Sequence, residues 1–131
     1  MVNYKRFFMA VLAASIFQFV FEGIWFEFLF KQMILAEMGC IIRPASYLPL
    51  HFLGELAFSS LIAYVLIITG KEGKNEGLFV GMLIGFLIAA YLGMNQFASL
   101  NITVTLLINV CCKHIILGGV SGLIIGLIYR K

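Results

Sequence analysis

Residues 77–94 read GLFVGMLIGFLIAAYLGM, a stretch with no charged side chain. A helix rises about 1.5 Å per residue, so roughly 20 apolar residues cross the ~30 Å hydrocarbon core of a bilayer. Backbone N–H and C=O groups cannot be left bare in lipid, so a run of this length is a helix. The rest of the chain agrees with this stretch. It is 63% hydrophobic and 11% charged over 131 residues, with a mean hydropathy of +1.07. Soluble domains carry about 25% charged residues. A water-soluble fold could not cover so much apolar side chain with so few charges. The expected fold is an all-α integral membrane protein, with four transmembrane helices in an antiparallel bundle and one domain spanning residues 1–131.

Extending outward from that stretch, the spans run over about 7–30, 47–69, 77–100 and 102–129. Pro44 and Pro49 lead into the second, where proline costs little because early N–H groups have no helical partner. KEGKNE, residues 71–76, is a short polar turn that makes spans two and three antiparallel neighbours. Asn95 to Asn101 is a second tight turn. The first connection, KQMILAEMGCIIRPAS, is longer and half apolar. Its Met33, Ile34, Met38, Ile41 and Ile42 suit either a short interfacial helix or a folded loop over the bundle. MVNYKR followed by an apolar run resembles the start of a signal peptide. The run continues to Phe30, long enough to span, and is read as the first membrane helix.

Lys5, Arg6, Lys71, Lys74, Arg130 and Lys131 fall on one side, and Lys31 and Arg43 on the other. The positive-inside rule then places both termini in the cytoplasm. The net charge of +3 is spread thinly over segment ends, which gives no footprint for nucleic acid. Cys40 lies in a loop. Cys111 and Cys112 sit side by side in an apolar run, where such a pair is small apolar filler more often than chemistry. Trp25, Tyr47 and Tyr129 sit near span ends, where aromatic belts form. Trp25 also lies between Glu22 and Glu27, which makes it a candidate to face polar groups.

Depth divides the chain into two unlike halves. Gly77, Gly81 and Gly85 recur every four residues in the inner half of span three. Gly118, Gly122 and Gly126 do the same in span four. Small residues at this spacing form smooth ridges along which two backbones approach closely. They serve either packing between these helices or a homodimer. The outer half carries the polar residues: Gln18, Glu22 and Glu27; His51, Glu55, Ser59 and Ser60; Asn95 and Gln96; Asn101, Thr103, Thr105, Asn109, Lys113 and His114. A charged residue at mid-bilayer costs about 2.5–3.5 kcal/mol on insertion scales, and it usually faces the bundle interior or water. Lys113 is too deep to snorkel and needs a partner, for which Glu22 and Glu55 have suitable depth. The expectation is a bundle closed by glycine packing on the inner side, with a polar pocket opening outward. Glu22, His51, Glu55, Asn109, Lys113 and His114 line it.

Four readings of that set compete. Its members could satisfy one another and fix the helix packing, as a non-catalytic structural or accessory subunit of a larger membrane complex would require. Carboxylates with a histidine at mid-depth also suit proton-coupled or cation movement, in a small transporter or an ion- or ligand-binding module. A metal or haem site has less support. His51 and Glu55 offer two ligands at helical spacing, with Glu22 or His114 to complete a shell, but the two histidines differ in depth. No cofactor follows from these residues. A membrane-embedded enzyme comes last, because no Ser–His–Asp set, H-E-x-x-H or phosphate-cradling glycine loop is present.

Three stretches carry a family resemblance: MVNYKRFFMAVLAAS through FEGIWFEFLFKQ, then GLFVGMLIGFLIAA, then LINVCCKHIILGGVSGLIIGLIYR. The chain resembles the small bacterial membrane proteins grouped as domain of unknown function 1761. These begin with a Met-Val-Asn-Tyr-like start, carry a Gly-x-x-Trp element and end in a glycine-containing helix with a basic tail. Gly23 and Trp25 stand where that element falls but one residue closer together than Gly-x-x-Trp, and Phe26, Glu27 and Phe28 replace the Tyr-Ser-Pro that follows it. The resemblance implies four helices in a bacterial inner membrane and brings no function with it.

Overall fold

The computed structural model describes residues 3–41 and 48–129. Readings that rest on Ile42, Arg43, Pro44, Tyr47, Arg130 and Lys131 lie outside those residues. Helix α1 spans Tyr4–Ile24 and continues into one π-helical turn, Trp25–Leu29. It is followed by α2 (Lys31–Met38), α3 (Leu48–Ile68), α4 (Lys74–Ser99) and α5 (Val104–Ile128). Four of these, counting α1 with its π turn as Tyr4–Leu29, are long and apolar enough to cross a membrane. The chain is therefore an all-α bundle, and the described residues contain no strand.

Local chemistry sets the helix ends. The Asn3 side chain accepts from Arg6 N at 3.1 Å and starts α1. Thr103 does the same for α5, accepting from Leu106 N at 3.2 Å. Helix α3 closes on Gly70, whose φ of 64° is left-handed. Lys71 N donates to Leu66 O at 3.1 Å and Gly70 N to Ile67 O at 3.2 Å, the paired bonds of a Schellman cap. The polar turn expected over residues 71–76 is shorter than that, because the helix resumes at Lys74. Gly73 precedes it and Glu76 lies in its first turn, where a carboxylate suits the helix dipole. Asn95 and Gln96 likewise belong to the end of α4 rather than to the turn. Asn95 Nδ2 folds back onto Tyr91 O at 2.6 Å.

Helices α4 and α5 form the tightest pair. A Cβ placed on Gly77 would overlap the carbonyl oxygen of Gly122, and one on Gly81 that of Gly118. Gly85 lies against His114 O, and Gly126 against Gly73 O. The two ridges therefore face each other within one chain, backbone on backbone. α5 is the central element, touching α1 and α3 as well, while α4 meets α3 only lightly. Ala10, Val11 and Ala14 of α1, Ile62, Ala63 and Leu66 of α3, Val80 and Ile84 of α4, and Ile125 with Tyr129 form the core. These positions lie toward the end of the bundle that holds Asn3, Tyr129 and the α3–α4 turn, called here the terminal end. Phe8, Leu12, Ile16 and Val20 of α1 and Phe79, Phe86, Leu87 and Tyr91 of α4 point outward as large exposed side chains. That apolar perimeter needs lipid around it.

The first connection contains a helix and also packs over the bundle. Glu37 of α2 accepts from Thr103 N at 2.8 Å through Oε2 and from Thr103 Oγ1 at 2.7 Å through Oε1. A carboxylate thus caps the first turn of α5 and ties α2 to the loop end of the bundle, opposite the termini.

Candidate functional site

Above the apolar core, toward the loop end, the interior turns polar. Gln18 of α1, Ser59 of α3 and Ser121 of α5 are fully buried, and Ser15 joins them. The Gln18 amide nitrogen faces the backbone carbonyl of Glu55 at 3.0 Å. A carbonyl only accepts, so this contact fixes the amide orientation. The same nitrogen then reaches Glu55 Oε2 at 2.8 Å, and the amide oxygen accepts from Ser121 Oγ at 2.8 Å. Ser59 Oγ lies 3.0 Å from the amide nitrogen and 3.3 Å from its oxygen. Ser15 Oγ donates to Val11 O at 2.8 Å and leans toward Glu55 O at 3.3 Å. One glutamine therefore joins α1, α3 and α5 at a single level. Ser121 reaches it from α5, whose neighbouring Gly118 and Gly122 pack on α4.

One turn further toward the loop end lies the charged group. Lys113 Nζ donates to Glu22 Oε1 at 2.6 Å, with about a quarter of each side chain exposed (22% and 25%). The Glu22 carboxyl also lies close enough to that of Glu55 for the two to interact directly. Glu55 is buried, with 8% of its surface exposed. His114 stands close enough to Glu22 and Lys113 to feel both charges. Its Nδ1 donates to Val110 O at 2.8 Å, which leaves Nε2 as the free ring nitrogen. Of the two partners expected for Lys113, Glu22 makes the contact, and Glu55 is held by Gln18 and Glu22.

Trp25 and Asn109 close this layer. The indole Nε1 donates to Asn109 Oδ1 at 3.1 Å. Trp25 begins the π turn, in which Phe30 N reaches back five residues to Trp25 O at 3.1 Å. Within that turn Glu27 lies on the exposed surface, where it pairs with Lys31 at 2.7 Å. Rings at Phe17, Phe21, Trp25 and Phe30 stack along the same face at centroid spacings of 5.6, 5.4 and 4.7 Å. Trp25 is thus a polar-site residue with an aromatic backing.

The structure leaves His51 out of this group. It is exposed near the start of α3, one turn before Glu55. Helical spacing puts the two on one side of α3, but burial on that side begins only at Glu55. Among the described residues, no group of three or more His, Cys, Asp and Glu side chains is arranged to hold a metal ion. Cys40, Cys111 and Cys112 are free thiols, and Cys40 and Cys112 are exposed.

Burial falls away sharply above the polar layer. The last buried residue of α1 is Gln18, and the first of α3 is Glu55. In the loop-end half of the bundle, α5 buries only Leu106, while α4 buries Ala89 and Gly93, the latter against the Leu107 side chain rather than backbone. Burial in α1 and α3 thus ends at the level of Gln18, with Glu22, Glu55 and Lys113 just above it, while α4 stays packed on α5 through Ala89. An open groove of about 470 Å³ lies at the terminal end instead, bordered by Asn3, Lys5, Arg6, Met9, Leu127 and Ile128.

Sequence reasoning missed Ser121, which reads as one more small residue in a glycine ridge, and Glu37, whose partner is 66 residues away. No family model matches the chain, and no curated protein or solved structure matches it either.

Proposed function

We propose that the chain is a small ion- or ligand-binding membrane module, built on the scale of a minimal transporter. Its site is the Glu22–Glu55–Lys113 group, reached from the outer side. The carrying observation is position: two carboxyls and an ammonium lie where tight packing ends. A purely structural polar pair gains nothing from standing at such an opening. Intramembrane ionisable groups that face a bundle interior are functional-site candidates by default and commonly mark ion or substrate paths. The charge distribution supports placing both termini in the cytoplasm, and the family resemblance implies a bacterial inner membrane. In that setting the loop end faces outward. Kinship with the domain of unknown function 1761 family belongs to the same proposal, on the stretches quoted above. A homodimer is the natural assembly for so small a transporter.

A second reading has its own observation. Among the described residues, no buried side-chain nitrogen or oxygen lacks a partner. A fully satisfied network suits a structural or accessory subunit of a larger membrane complex, whose polar groups only fix helix packing. Thermal unfolding of the purified protein in lipid separates the two. Lithium, sodium, potassium and ammonium are tested as probes, together with steps of pH. A ligand present at 100 times its Kd stabilises its protein by about 2.7 kcal/mol. The binding module shows such a response to at least one probe, and Glu55→Gln abolishes it. The packing reading is correct if no probe moves the transition, or if Glu55→Gln responds as the parent does.

A further inference from the structure

We infer that the Glu22–Glu55 carboxyl pair is a binding site for one exchangeable proton, taken from the outer side. This rests on the proposed binding module and names its ligand. The argument is a count of charges and donors. Lys113 supplies one positive charge, in direct contact with Glu22. Glu22 and Glu55 would supply two negative charges in contact with each other. Two ionised carboxylates have only acceptors, so neighbouring carboxyls can bond to each other only when one carries a proton. With that proton the triad of Glu22, Glu55 and Lys113 is neutral. Without it, one unpaired negative charge stands inside the membrane beside a second carboxylate, which is costly.

The surroundings fit a carboxyl that gains and loses a proton. From α1, Gln18 donates to Glu55 Oε2 and holds the group in place. From α5, Lys113 and His114 face the pair. Among the described residues, α4 brings no titratable side chain to this level, and α3 brings Glu55 alone. Below the pair, Gln18, Ser59 and Ser121 form a closed layer and the apolar core follows, which separates the pair from the groove at the terminal end. Above it, Glu22 and Lys113 are partly exposed. In the binding step an O–H bond of hydronium breaks and an O–H bond forms on a carboxylate oxygen, leaving water. Release reverses it.

Infrared spectroscopy of the full chain in lipid vesicles counts protonated carboxyls through their C=O stretch. The parent protein is expected to show the intensity of one buried protonated carboxyl, shifting when the vesicles are moved into D2O. Glu22→Gln leaves Glu55 alone with Lys113, so the band should vanish although Glu55 is intact. Lys113→Met removes the only positive charge of the triad, so the band should double. Far-UV circular dichroism verifies that both variants fold, and the D2O shift of the parent needs no variant. Absence of the band in the parent overturns the inference. So does a band that ignores D2O, or one unchanged by Glu22→Gln in a folded protein. If the band is absent while a metal cation or ammonium still raises thermal stability through Glu55, the binding module survives and only its ligand was misidentified.

Discussion

Gly81→Ala should open the α4–α5 seam. The new methyl would overlap the Gly118 carbonyl oxygen and crowd its carbonyl carbon, with Gly122 Cα 3.1 Å away. All three are backbone atoms of a helix, so no rotamer change can relieve the overlap. The helices must part by about 1 Å, and a gap of this size forfeits a quarter to a half of each neighbouring dispersion contact. If ~30 close atom pairs along the seam each lose a third of ~0.15 kcal/mol, the loss is roughly 1.5 kcal/mol. Residual strain brings the total toward the 1–3 kcal/mol typical of overpacking. Alanine also favours the helix by up to ~1 kcal/mol over glycine, which masks part of the effect. Gly23→Ala and Gly54→Ala carry the same propensity change with nothing within 4 Å of the added methyl. Reversible unfolding with an anionic detergent, followed by circular dichroism, should place Gly81→Ala about 1.5–3 kcal/mol below those controls. A difference under about 0.5 kcal/mol would mean that the glycine ridges do not hold this seam.

The Glu22–Lys113 pair gives a coupling test. Breaking a fully buried ion pair costs about 3–5 kcal/mol, and partial exposure reduces this to roughly 2 kcal/mol for Glu22→Gln or Lys113→Gln alone. The double variant should recover about 1–2 kcal/mol of the summed loss, whereas Glu55→Gln with Lys113→Gln should recover less. Equal coupling for both pairs would contradict the geometry. Glu37→Ala should remove the carboxylate that caps α5 and cost about 1 kcal/mol. Hydrogen exchange should locate that loss at the first turn of α5 and in α2, and uniform loosening of the whole bundle would count against a local cap.

Much of this architecture is legible in the residues, because lipid imposes length and continuity on every span. The glycine ridges are readable for the same reason: period four on adjacent antiparallel helices leaves few ways to pack. The need of Lys113 for a carboxylate could be read from its depth, but the choice of Glu22 over Glu55 could not. That choice depends on Gln18 holding Glu55 from the other side. Helical spacing made His51 look like a wall of the site, but whether a face is covered depends on the helices beside it. Glu37 and Ser121 act across long sequence separations, and nothing local marks them. The π turn at Trp25 is a matter of one extra residue in the backbone ladder, for which composition has no sign.

Water access along α5 tests the central claim, that the polar site opens outward and is sealed toward the termini. In a background with Cys40, Cys111 and Cys112 replaced by serine or alanine, single cysteines are placed at Asn109 and Ser121. Each is exposed to a membrane-impermeant thiol reagent from one side of the bilayer at a time. Asn109→Cys should react from the outer side, and Ser121→Cys, below the Gln18 layer, should react from neither. Outer-side labelling of Ser121→Cys at a rate comparable to Asn109→Cys, or labelling of Asn109→Cys only from the side of the termini, would contradict the account.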